Sequence, residues 1–75
     1  MKLIELLEHT STFHFALSIV GRWGGRYKIV DYHTHEYDNY EVVNISATVE
    51  VEPPSPLTHA VSVRPIMLIT LKEVA

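Results

Sequence analysis

Residues 42–52, VVNISATVEVE, alternate with almost no fault: Val43, Ile45, Ala47, Val49 and Val51 fall on one side, Asn44, Ser46, Thr48, Glu50 and Glu52 on the other. A period of two is the signature of a β-strand with one apolar face and one wet face. Such a strand cannot bury its apolar face by itself, so the rest of the chain must supply neighbouring strands and a covering layer.

The neighbours can be read on both sides. In residues 13–20, FHFALSIV, Phe13, Phe15, Leu17 and Ile19 oppose His14, Ala16, Ser18 and Val20, which predicts a first strand. GRWGGR (21–26) supplies glycines for a turn, and YKIVDYH (27–33) is rich in β-branched and aromatic residues, so the two segments form a hairpin. A four-residue loop closed by Gly21 and Arg26 sets Ile19 opposite Lys28, Leu17 opposite Val30, Phe15 opposite Tyr32 and His14 opposite His33. PPSP (53–56) ends the alternating strand, and residues 59–72 return as a fourth, with a bulge or an edge position expected at Pro65.

Cover comes from the N-terminus. KLIELLEH (2–9) gathers Leu3, Ile4, Leu6 and Leu7 on one side of a short helix, with Glu5 and Glu8 on the other. The expectation is an α+β fold in a single domain, 1–75, with a short N-terminal helix packed on a mainly antiparallel four-stranded sheet. Ile66, Met67, Leu68, Ile69 and Leu71 are apolar on both sides of the fourth strand. One helix covers one face, so the second needs either a partner, as another copy or a different protein, or shielding by the long 33–41 loop.

Composition narrows the function classes. With 47% hydrophobic and 20% charged residues the chain is too apolar for a disordered tail, and no apolar run is long enough for a membrane span. Glu5 and Glu8 interrupt the apolar opening, which argues against a signal peptide. The absence of cysteine removes disulfides and thiolate zinc sites and favours a reducing cytoplasm. A net charge of −3 argues against general nucleic-acid binding.

MKLIELLEH, DNYEVVNIS and IMLITLK, in that order, resemble the parts of short proteins encoded by phages and prophages of Gram-positive bacteria, which open with an M-x-L-x-E-L-L helix and carry a Y-E-V-x-x-I strand before a last apolar strand. The resemblance implies no catalytic residues and no cofactor. It implies an accessory protein acting in the host cytoplasm, in a class where inhibitors of host defence proteins are common.

Two stretches depart from that pattern and are the candidate sites. In GRWGGR, Arg22, Trp23, Gly24, Gly25 and Arg26, with Tyr27, combine guanidinium forks, backbone N–H groups and an aromatic anchor on a loop tip, the composition of a binding hot spot. The simpler reading is a turn whose Trp folds back onto the sheet. In DYHTHEYDNY (31–40), the expected hairpin register groups His14, Asp31, His33 and His35 as a weak metal cluster or a proton-responsive patch, against a solvated loop. Glu50, Glu52, Asp38 and Glu41 compose an acidic row able to mimic a phosphate backbone, or simply a solvated face. No nucleophile motif is present. The chain is therefore expected to be no enzyme but a binding protein that engages a host protein, with the Trp loop as contact site and self-association into a homo-oligomer. A module holding a small phosphorylated nucleotide between copies is the alternative, and a metal-binding protein the second.

Overall fold

The computed structural model describes residues 1–10, 13–52, 57 and 62–74. The elements are α1 (Leu3–Glu8), β1 (His14–Ile19), a 3-10 turn (Trp23–Gly25), β2 (Lys28–Asp31), β3 (Glu41–Glu52) and β4 (Ser62–Lys72). The strands form one sheet in the order β2-β1-β4-β3. The α+β class is as expected, but the sheet is mixed, because β4 lies parallel to β1 with Leu17 beside Ile69, while β1–β2 and β3–β4 are antiparallel. Composition explains the placement. β4 is apolar on both sides over Ile66–Leu71 and suits an interior position, whereas β2 is four residues long with Lys28 and Asp31 exposed, the make-up of an edge.

The order has a consequence for chain path. β2 and β3 run in the same direction at opposite edges, so residues 32–40 must cross the length of the sheet between them. They do so on the face that α1 covers: Tyr32, Tyr37 and Tyr40 join Leu3, Leu6 and Leu7 against Phe15, Leu17, Ile19, Ile69 and Leu71. The 33–41 loop thus thickens the helix layer and leaves the second face alone. Backbone bonds lock the layer to the β3 edge, with Leu3 N–H donating to Tyr40 O (2.9 Å) and Val42 N–H to Met1 O (2.7 Å).

The hairpin register is shifted by two residues from the expected one: Leu17 faces Lys28, Phe15 faces Val30 and His14 faces Asp31. The connection is longer than a four-residue loop, since Arg22 N–H turns back to Ile19 O and Arg26 N–H to Trp23 O in successive turns, while Val20 N–H bonds to Leu71 O of β4 instead of to β2. Four positive-φ residues, Gly21, Trp23, Gly24 and Gly25, build these turns. A shift of two keeps every side chain on its face, so the apolar pattern survives the error. The bulge falls between Val42 and Asn44, not at Pro65. Pro65 pairs with Val49 in a part of β4 that β1 does not reach.

The alternating strand is the largest departure. Ile45, Ala47, Val49 and Val51 share the helix-side face with Met67, Pro65 and Val63 of β4. Yet only the end of this face near Ile69 is covered: Ile69 is fully buried, whereas Ile45, Val49, Val51 and Val63 are 44%, 53%, 58% and 60% exposed. The β3–β4 ribbon extends past the helix layer. A radius of gyration of 14.0 Å reflects that extension, set against ~11 Å for a compact chain of this length. Leu17→Ala, at the centre of the covered half, is expected to cost about 2–5 kcal/mol in urea unfolding; a change below about 1 kcal/mol would place the core elsewhere.

Candidate functional site

Both sequence candidates require side chains that are free, and most of theirs are engaged. The Trp23 ring does not stand out at a loop tip. It is half-buried, meets Tyr37 edge-on at 6.5 Å between centroids, and receives the Lys28 ammonium 4.5 Å from its centre. Tyr37 in turn packs edge-on against Tyr40 at 5.1 Å, so the Trp joins an aromatic row along the crossing segment. This packing holds Trp23 in a left-handed backbone conformation, φ 56°, that a bulky residue otherwise avoids. Arg22 is also engaged, with Nη2 3.0 Å from a Glu73 carboxylate oxygen and its guanidinium 5.8 Å over the Tyr40 ring. A phosphate bound by Arg22 would have to displace Glu73. Gly24, Gly25 and Arg26 are exposed, and Tyr27 is about two-fifths exposed with its hydroxyl 3.5 Å from Thr48 Oγ1.

The histidines are separated. His33 stacks beside Phe13 at 5.9 Å, and His35 pairs with Asp38 at 3.1 Å. His14 lies opposite Asp31, not His33, so the expected His14–His33 pairing is not the one formed. No group of three or more side chains able to hold a metal occurs among the described residues. Asp38 serves the fold instead. It accepts the Tyr32 hydroxyl at 2.7 Å, and Tyr32 Oη accepts the Tyr37 N–H at 2.8 Å, which pins the crossing segment to the core. Burial first, and the Asp38 bond second, push the Tyr32 phenol above its ordinary pKa.

What the second face does carry is a chain of charges. His14 Nδ1 is 2.6 Å from Asp31 Oδ1 of β2, and its Nε2 is 3.0 Å from Glu50 Oε2 of β3. Arg64 Nε then reaches the same Glu50 oxygen at 3.2 Å, and Arg64 also pairs with Glu52. The expected acidic row is therefore largely consumed within the protein. His14 can donate to a carboxylate from each nitrogen only as the imidazolium, so this geometry favours its protonated form. Glu50 first and Asp31 second hold the His14 pKa above its usual value, and His14 holds that of Glu50 below the usual carboxylate range. With both nitrogens occupied, His14 in this arrangement offers none to a substrate or a metal. The clamp ties β2, β1 and β3 together across buried Ile66 of β4. Strands three apart in a flat sheet are ~14 Å apart, so the approach of Tyr27 to Thr48 requires the sheet to curl over this face. An open concavity of about 310 Å³ results, bounded by His14, Glu50, Arg64, Pro65, Ile66 and Met67.

The feature that sequence reading places wrongly is the apolar strip on the ribbon, which is exposed. Its residues are visible in the alternation of 42–52, but the pattern assigns them to the core. Comparison with known proteins finds no matching family model, no similar curated protein and no similar solved structure.

Two outcomes check this description. Because the His14 pKa is raised on folding, its contribution is complete below the unfolded value near 6.5 and is lost as pH rises through the folded value. The melting-temperature difference between the protein and its His14→Gln variant should accordingly shrink as pH is raised above neutrality; a constant difference would show that His14 is not charged in the fold. Trp23→Ala is expected to destabilise by about 1–3 kcal/mol, and Arg26→Ala by under about 0.5 kcal/mol. Equal, negligible losses in denaturant melts would return Trp23 to the solvent.

Proposed function

We propose that the protein acts by binding another protein, as a small accessory protein of the phage kind its sequence resembles, in the cytoplasm of a host cell, and that the apolar strip of the β3–β4 ribbon is its contact surface. The observation that carries this reading is the exposure of Ile45, Val49, Val51 and Val63 on one face, with Ala47 and Pro65 between them. Isolated exposed aliphatic residues are ordinary; a contiguous run of them along ~20 Å of two paired strands is the mark of an interaction site. Turnover has no comparable support, because the polar clusters of the protein satisfy one another. Trp23 and Arg22 support the loop that frames the core, and Arg26, Gly24 and Gly25 remain exposed at its tip.

The test is capture from an extract of a Gram-positive host, comparing the protein with Val49→Glu, which places a charge in the strip while leaving the covered core intact. One or a few host proteins should be retained by the protein and lost with Val49→Glu at an unchanged melting temperature. Retention of the same proteins by Val49→Glu would remove the strip from the function.

A further inference from the structure

Along β3 no strand among the described residues pairs with the outer edge beyond the bulge, and the boundaries of this open stretch are sharp. The N-terminal segment occupies the edge at Tyr40–Val42, through Leu3 N–H to Tyr40 O, Val42 N–H to Met1 O and the bridge of Lys2 with Glu41. A bulge follows between Val42 and Asn44. From Asn44 to Glu52 the strand is regular and pairs only with β4 among the described residues, so its outward N–H and C=O groups have no strand beside them. Beyond Glu52 the sequence continues with Pro53 and Pro54, which have no N–H to donate. A regular, open edge of this length, bearing alternate valines, is a template for another strand. The other edge lacks these features, since β2 is four residues long and bears Lys28 and Asp31.

We infer that the occupant of this edge is the β3 edge of a second copy, paired antiparallel about a two-fold axis at Thr48. The register follows from the boundaries. Thr48 is the midpoint of Asn44–Glu52, so this centre alone pairs the whole regular stretch; centring on Ala47 runs into the bulge, and centring on Val49 runs into the prolines. Charge agrees, because the Thr48 centre sets Glu50 opposite Ser46 and Glu52 opposite Asn44 of the second copy, with no carboxylate facing a carboxylate. A centre at Glu50 would oppose Glu50 to itself. On the other face Val49 stands opposite Ala47 and Val51 opposite Ile45, so the two apolar strips become one floor, four strands or ~14 Å across, between the two helix layers. Nine paired residues per copy with their adjoining side chains bury roughly 1,000 Å² in total, the size at which specific interfaces begin.

The widened floor deepens the binding reading above and to that extent rests on it, whereas the pairing itself is tested on purified protein with no partner present. Sedimentation equilibrium should give a concentration-dependent mass rising to twice the 8.6 kDa of one chain. The chain has no cysteine, so single Thr48→Cys, Asn44→Cys and Glu52→Cys variants can be joined by a short bis-maleimide without interference. Thr48→Cys should cross-link to itself efficiently. Glu52→Cys should not, because its copies lie about 27 Å apart along the paired strands, but it should cross-link when mixed with Asn44→Cys. A mass of one chain at every concentration would overturn the inference, as would a dimer in which Glu52→Cys joins to itself or Thr48→Cys does not.

Discussion

The parallel pairing of β1 with β4 decides the rest of the structure. Once Leu17 lies beside Ile69 and Ile19 beside Leu71, β2 and β3 are both antiparallel to that central pair and run the same way at opposite edges. The chain must then travel back along the sheet between them, and α1 must travel the other way to reach β1. Both passages use one face, and together they bury the half of the sheet in which β1 and β4 are paired. The apolar residues of that half, Phe15, Leu17, Ile19, Ile69 and Leu71, are almost fully buried. The far half of the β3–β4 ribbon has no β1 beside it and nothing over its apolar side among the described residues.

The two faces are held by different physics. The helix face depends on hydrophobic burial, tightened by the Asp38–Tyr32–Tyr37 hydrogen bonds that fix the crossing segment. The opposite face has less apolar area to bury, with Ala16 and Ile66 at its centre. It is closed by charge, through the imidazolium of His14 between two carboxylates and the Arg64 guanidinium beyond them. Partial exposure of His14 and Asp31 keeps each contact modest and sensitive to salt. Their value is geometric: they hold three strands in a curl that brings the ribbon over the second face.

Much of the fold is legible in the sequence because alternation is a local property. The side on which Phe15, Leu17 and Ile19 fall, the short amphipathic helix and the long third strand are all set by spacing alone. Strand order is not local. A reading that pairs sequence neighbours makes β2 and β3 adjacent, and only the two-sided apolarity of Ile66–Leu71 hints that β4 belongs inside. The hairpin register differs by two residues because the GRWGGR connection makes two consecutive turns in place of one, a matter of backbone φ at Trp23 and the glycines. That same turn folds the Trp inward onto Tyr37, the simpler of the two readings that the sequence leaves open, and the turn geometry decides between them. The expected histidine cluster changes with the register, since the observed pairing sets Asp31 rather than His33 opposite His14 and keeps only the His14–Asp31 pair of that cluster. The valines of β3 are recognisably apolar, but a period of two cannot say how far along the strand the covering layer extends.

The central claim is that the Asn44–Glu52 edge, left open by the short helix layer, is a pairing surface in solution. Amide hydrogen exchange across β3 tests it most directly, because alternate N–H groups of an edge strand point inward to β4 and outward to the open side. The expected result is that at high protein concentration the outward amides between Asn44 and Glu52 are protected about as well as the inward ones, and that this protection alone is lost on dilution. Outward amides that exchange freely at every concentration, beside inward ones that stay protected, would contradict it.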